Sequence, residues 1–164
     1  MIRVYTDMVA DLFHYGHVEF LKKARALGDY LLVGICGDDV VAAHKKRPIL
    51  TMEERVASIA KCRYVDEVIP NAPWIFDPAW IELHKIHIVV HGDDYSQEQF
   101  EYYYKVPIEM GIFRSIPYTK GISTSEIISR IREASLSQDA ISDEEFIRLR
   151  PGKGRENESK RWRK

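Results

Sequence analysis

Cysteine is scarce in this chain: Cys36 and Cys62 are the only two among 164 residues, and both fall within apolar periodic stretches. Without a spaced framework of cysteines a disulfide-stapled scaffold is excluded, and the pair reads as reduced core thiols of a cytoplasmic protein. Long apolar runs are absent as well. No segment approaches the ~20 apolar residues that a membrane span needs, and residues 1–7 hold no run of signal-peptide length. Net charge is nearly missing, at −1, and no internal repeat is visible. A soluble single domain is expected, since a chain of ~160 residues buries roughly two thirds of the surface it exposes when unfolded.

The charge that is present is unevenly placed. Residues 148–164 hold eight Lys or Arg against two Glu, a surplus of six that leaves residues 1–147 at −7. Within residues 151–164 only Trp162 is a large apolar side chain, so a disordered basic tail is expected. Its contact with an anionic membrane would be weak, about 1 kcal/mol per basic residue near the surface. Residues 135–150 read as a C-terminal extension with a short helix over 143–149, and residues 1–134 carry the patterned domain. No nucleic-acid partner is expected.

Residues 3–6 alternate weakly and lead into His14-Tyr15-Gly16-His17. After that segment Val18, Phe20, Leu21, Ala24 and Leu27 recur at helical spacing and stop at Gly28, which reads as a strand, a loop and a helix. Residues 30–36 are a continuous apolar run, as in a strand buried on both faces of a parallel sheet. Thr51 with Glu54 three positions on forms a capping box for a helix to about Cys62. Then come a strand over 65–69, a helix opened by Asp77-Pro78, a strand over 86–91, a helix over 96–110, a strand over 112–118, and a helix capped by Ser123 that runs to about Glu133. This order predicts an α/β fold, a Rossmann-like, doubly wound parallel five-stranded sheet with helices on both faces. Such sheets bind ligands at the carboxyl ends of their strands. The loops holding His14, residues 38–48, Gly92-Asp93-Asp94 and residues 118–125 are therefore expected to converge on one crevice.

Two of those segments carry phosphate chemistry. His14-Tyr15-Gly16-His17 and Gly121-Ile122-Ser123-Thr124-Ser125 each open a helix, where unpaired backbone N–H groups and the helix dipole favour an anion. Gly16 lets the backbone approach a ligand closely, and two imidazoles there can hydrogen-bond phosphoryl oxygens as charge builds in a transition state. A nucleotide triphosphate is the ligand this suggests. The three-residue spacing also suits a metal pair, but no third Cys, His or carboxylate stands at ligand spacing, so no dedicated metal cage is expected. Spacing alone equally allows two unrelated histidines.

Asp11-Leu12-Phe13-His14-Tyr15-Gly16-His17 resembles the HxGH signature of the nucleotidyltransferase superfamily. Gly121-Ile122-Ser123-Thr124-Ser125-Glu126-Ile127-Ile128 resembles the second signature of its cytidylyltransferase branch. Arg63-Tyr64-Val65-Asp66-Glu67-Val68 and Asn71-Ala72-Pro73-Trp74 are similar to further segments of the choline-phosphate and ethanolamine-phosphate enzymes of that branch. The glycerol-3-phosphate enzymes are a related group. The likeness spans residues 2–134 in the right order.

This resemblance implies a homodimeric, Mg²⁺-dependent cytidylyltransferase that transfers CMP from CTP to a phosphomonoester and releases pyrophosphate, in phospholipid or surface-polymer precursor synthesis. It implies in-line attack with no covalent enzyme intermediate, so that the protein positions groups and stabilises charge. By the family pattern His14, His17 and Lys45 are catalytic. Val9, Ala10, Gly16, Lys46, Thr119, Gly121, Ile122, Ser123 and Thr124 would bind the triphosphate, and Arg63, Gly92, Asp93 and Asp94 would recognise the cytosine. Asp11, Trp74, Tyr95 and Tyr104 would form an anion-plus-aromatic cage for the substrate amine, which suits the quaternary ammonium of phosphocholine. Phosphoethanolamine and glycerol-3-phosphate are the alternatives. The chain also departs from the pattern, with Met8 in place of Gly, Ala10 in place of an aromatic, Tyr118 in place of Arg and Lys120 in place of Glu. A bulky residue at position 8 would tolerate positive φ poorly and crowd the triphosphate, and a non-catalytic nucleotide-binding protein is the reading from another class.

Overall fold

A computed structural model describes residues 1–136. The short helix expected over 143–149 and the basic tail lie outside the described residues. Met1–Glu126 form one compact unit, and a second begins at Ile127.

Five strands form the first unit's sheet: β1 (Arg3–Met8), β2 (Tyr30–Cys36), β3 (Glu67–Ala72), β4 (Ile88–Gly92) and β5 (Phe113–Ile116). They are all parallel, in the order β3-β2-β1-β4-β5. The chain winds outward from β1 to β3 on one side, then returns to β4 on the other, which opens a switch point between β1 and β4. Helices α1 (Tyr15–Arg25), α2 (Asp38–His44), α3 (Met52–Ala60), α4 (Pro78–Leu83), α5 (Gln97–Tyr103) and α6 (Lys105–Glu109) make the crossovers. A last helix, α7 (Thr124–Leu136), starts in the first unit and continues beyond it.

The strand period of two sorts the core into two layers. Val4, Leu31, Val33, Ile35 and Val90 pack on one face with Leu21 and Ala24 of α1 and Ile59 of α3. Tyr5, Leu32 and Val89 pack on the other with Phe76, Ile81 of α4 and Tyr104. Helices thus cover both faces, as the alternating pattern predicted.

Besides small shifts at the ends of β4 and β5, three elements differ from the sequence reading. Residues 38–44 are helical rather than loop, because Asp38 and Asp39 sit in the first turn of α2, where carboxylates favour the helix dipole, and Val41 is buried. The helix expected over 96–110 breaks at Tyr104, whose φ is −113° and ψ 22°. Pro107 explains the break: it has no N–H for a continuous helix, but falls in the first turn of α6, where none is needed. Strand β3 begins two residues late and reaches Ala72, with Pro70 tolerated because β3 is an edge strand.

Candidate functional site

The loop leaving β1 is bent, with φ of 59° at Ala10 and 46° at Leu12. Backbone in this region costs energy and persists only where the surroundings hold it. Two side chains hold it here. The buried carboxylate of Asp11 accepts the N–H groups of Leu12 (3.1 Å), Ile49 (3.0 Å) and Leu50 (3.0 Å), while the Thr124 hydroxyl donates to the Asp11 carbonyl at 2.9 Å. Asp11 is therefore a stitch between loops, with both its oxygens engaged by backbone N–H groups. Arg55 of α3, fully buried, donates to the carbonyls of Val9 (2.6 Å) and Cys36 (3.1 Å) and pairs with Asp38. It ties the carboxyl ends of β1 and β2 to the start of α2. The sequence reading missed it, since an arginine in a capped amphipathic helix looks like a surface residue.

Met8 does not occupy a strained position. It pairs with Ile35 in regular strand register and turns its side chain to the first core layer, so the positive φ falls at Ala10 instead. The crowding expected from Met8 is removed for that reason.

His14 caps α1 in an extended conformation, and its Nδ1 accepts the Gly16 N–H at 3.1 Å. His17 returns the favour: its Nδ1 accepts the His14 N–H at 3.2 Å. The two rings lie 4.0 Å apart at 34°, and Phe13 stacks on His17 at 5.5 Å. With each Nδ1 used as an acceptor, the neutral rings carry their proton on Nε2. Burial lowers the pKa of His14; that of His17 is pushed down to about 4, by burial first and by His14 second, against the opposing pull of Asp11. The pair is thus two uncharged Nε2–H donors at a helix N-terminus. Gly16 leaves the rings room: a Cβ there would stand 3.0 Å from the His14 ring and 3.1 Å from Ile122.

The loop before α7 closes on this pair. Gly121 takes φ +98°, Ile122 reaches Gly16, and Ser123 Oγ accepts the Glu126 N–H at 3.1 Å. Thr119 Oγ1 is buried with no hydrogen-bond partner among the described residues. At the end of β4, Asp93 accepts the Tyr118 N–H at 2.7 Å, and a Cβ on Gly92 would meet Asp94 Oδ1 at 2.8 Å. Lys46 is exposed just beyond α2. Arg63 does not join them. It lies in the turn from α3 to β3, which feeds the amino end of the sheet, and its guanidinium sits over Tyr64. A role for Arg63 at the cytosine of its own chain is not supported by that placement, since α3 carries the chain back across the sheet before it.

Aromatic side chains gather on the other side of the switch point. Tyr104 is buried, 2% exposed, and donates its hydroxyl to Asp7 at 2.9 Å. Its ring packs in the second core layer, and its hydroxyl orients Asp7. Asp7 is the carboxylate that the sequence reading overlooked. Two residues beyond Tyr5 on β1, it shares that side of the sheet, and His91 of β4 lies beside it with its ring 5.1 Å from Tyr104 and 4.5 Å from Tyr95. Burial raises the Asp7 pKa, opposed by the charge of His91, the Tyr104 hydrogen bond and the charge of Lys45. The Lys45 ammonium stands 5.5 Å from the Trp74 ring centroid and 5.7 Å from that of Tyr95. His44 stacks flat on Trp74 at 4.7 Å, and Tyr103 meets Trp74 edge-on at 6.1 Å.

The carboxyl ends of the strands therefore carry two chemically distinct groups, a donor pair suited to phosphates and an aromatic box backed by a buried carboxylate. Among the described residues no group of three His, Cys, Asp or Glu stands together to hold a metal, and no helix is long and apolar enough to cross a membrane.

Comparison with known proteins accords with this anatomy. A family model described as cytidylyltransferase-like matches residues 6–130. An ethanolamine-phosphate cytidylyltransferase of Dictyostelium discoideum is 44% identical over 142 residues, which cover 84% of this chain and 39% of that protein. Choline-phosphate cytidylyltransferase A of Rattus norvegicus is 42% identical over 133 residues, 79% of this chain and 36% of that one. The chain thus spans well under half the length of these curated relatives. The crystal structure of a lipopolysaccharide core biosynthesis protein from Thermoplasma volcanium GSS1 superposes with a TM-score of 0.61 at 28% identity, covering 74% of this chain and 99% of that one. By the extent of the family match and by these identities, the chain belongs to the cytidylyltransferase-like family.

Proposed function

We propose that this protein transfers CMP from CTP to a phosphoamine, with phosphoethanolamine preferred. The observation that supports the reading is that the carboxyl ends of the strands carry both the His14–His17 donors, in the loop after β1, and an aromatic and carboxylate box that already accommodates a primary ammonium, that of Lys45. An oxygen of the phosphomonoester attacks the α-phosphorus of CTP in line; the bond to the β-phosphate breaks, and pyrophosphate leaves with the electron pair. His14 and His17 donate Nε2–H bonds to the α-phosphoryl oxygens, which gain charge in the transition state. The N-termini of α1 and α7, with Gly16, Ser123 and Thr124, receive the triphosphate. Gly92, Asp93 and Asp94 hold the base.

Mg²⁺ enters this scheme as the companion of the triphosphate, neutralising and orienting it. It would favour oxygen ligands, whereas the His14–His17 pair offers nitrogen, so that pair would not hold it.

Phosphoethanolamine is favoured because a primary ammonium wants hydrogen-bond acceptors as well as aromatic faces, and Asp7 supplies a carboxylate there. The name of the Dictyostelium relative points the same way. Phosphocholine is the second reading, supported by the rat relative and by the suitability of Trp74 and Tyr95 for a quaternary ammonium. Dimerisation through the free edge of β3 and residues 63–68, a cytoplasmic location and weak membrane contact of the basic tail complete the proposal. Pyrophosphate release with CTP and Mg²⁺ against phosphoethanolamine, phosphocholine and glycerol-3-phosphate tests it. The expected order of kcat/KM is the order just given. Silence with all three, with CTP still bound in calorimetry, would instead establish a non-catalytic nucleotide-binding protein.

A further inference from the structure

Lys45 has two places to be. The family resemblance implies that its ammonium bridges the phosphates of both substrates, yet in the structure it lies between Trp74 and Tyr95, 5.5 Å and 5.7 Å from their ring centroids. The preceding residue closes the same box, since His44 stacks on Trp74 at 4.7 Å with 10° between the planes and meets Tyr103 edge-on at 6.3 Å. Behind them stands Asp7, held by the Tyr104 hydroxyl at 2.9 Å. A cation over two aromatic faces is attracted to both, and a buried carboxylate left without a cation is costly. The box is therefore stable when it holds an ammonium and poor when it holds none. Its occupant in this structure is the protein's own side chain.

We infer that Lys45 determines specificity by exchange: its ammonium fills the amine subsite of the unliganded protein, and only a ligand with both a cation and a phosphate displaces it efficiently. The ligand's cation takes the place between Trp74, Tyr95 and Asp7, and the ligand's phosphate receives the released Lys45. The inference rests on the proposed reading of this box as the amine subsite. A phosphomonoester with no cationic group would draw Lys45 out and leave Asp7 without the Lys45 ammonium. A free amine would expel Lys45 without offering it an anion. Each half of the substrate is thus a poor ligand alone, and the two halves assist one another, reciprocally and by the same factor.

Calorimetric titration of the full chain with ethanolamine and with inorganic phosphate, CTP absent, tests this. For the wild type, saturating phosphate should tighten ethanolamine binding at least ~5-fold, and ethanolamine should tighten phosphate binding equally. Lys45→Met should bind ethanolamine alone at least ~5-fold more tightly than the wild type does, with the coupling to phosphate gone. Lys45 is exposed at the end of a helix, so the variant is expected to fold. Equal ethanolamine affinity in the two proteins would overturn the exchange while leaving the amine-subsite reading standing. No ethanolamine binding to either protein would overturn both, whatever the pyrophosphate assay reports about CMP transfer. Proton NMR gives a second readout. The Lys45 ε-methylene signals should be shifted upfield by the Trp74 and Tyr95 ring currents, and should return toward ordinary lysine positions when phosphoethanolamine is added. Ordinary positions in the free protein would overturn the inference.

Discussion

The imidazole rings of His14 and His17 lie 4.0 Å apart, and each spends its Nδ1 on a backbone N–H of the other's turn. This reciprocal cap is both structural and chemical, because it leaves Nε2–H as the only hydrogen each neutral ring can donate. Replacement of His17 by Ala should lower kcat at least ~100-fold, as loss of a transition-state donor does. His17→Asn separates the two roles: its carbonyl can still accept the His14 N–H, so the thermal midpoint should stay near wild type while kcat remains low. Pyrophosphate release and calorimetric melting measure the two, and near wild-type turnover by either variant refutes the assigned role.

Acid should destabilise the protein through the same ring. The His17 pKa is about 4 when folded against 6.5 ordinarily, so between those values the unfolded chain binds more protons. Stability is then complete above pH ~6.5 and declines as pH falls toward 4, by ~2–3 kcal/mol from this group. Urea unfolding across that range should show the decline, and His17→Asn should flatten it.

Gly16→Ala isolates geometry from stability. Alanine favours a helix by up to ~1 kcal/mol over glycine, but its Cβ would press on the His14 ring at 3.0 Å and on Ile122 at 3.1 Å. The expected outcome is a melting temperature within a few degrees of wild type and a kcat/KM for CTP lower by at least ~10-fold, since small misplacements of catalytic groups are costly.

Arg55 anchors the carboxyl ends of β1 and β2 from inside the protein, with no exposed surface. Arg55→Met would leave the Val9 and Cys36 carbonyls without this donor and Asp38 without its cation. A loss of ~3 kcal/mol in urea unfolding is expected. A loss under ~1 kcal/mol would show that Asp11 and Thr124 hold the loop without Arg55.

Trp74→Leu should raise KM for phosphoethanolamine ~10-fold, the worth of one partly desolvated cation–π contact, and leave KM for CTP unchanged. Steady-state kinetics with each substrate varied in turn measures this. Equal effects on both substrates would place Trp74 outside the amine subsite.

Much of this was readable locally. Apolar runs and caps announce all five strands and most helices, and His14, His17, Gly16 and Ser123 lie in short segments whose roles follow from a helix start. The misreadings have a common cause. Asp7 and Asp11 are four residues apart, and nothing in the sequence tells which carboxylate faces the aromatic box. Strand register turns Asp7 toward Tyr104, whereas the bend at Ala10 and Leu12 turns Asp11 onto backbone N–H groups. Tyr104 and Arg63 depend on tertiary placement likewise: Tyr104 stands at the break between α5 and α6, and Arg63 lies in the turn that feeds the amino end of β3.

The sequence by itself determined the alternation of strands and helices, the two phosphate-seeking helix starts and the family, because these depend on spacings within a dozen residues. Only the tertiary structure decided that Lys45, Trp74, Tyr95 and Asp7 share one box. They come from four separate segments, after α2, β3 and β4 and on β1, and the sheet order β3-β2-β1-β4-β5 alone brings their carboxyl ends together.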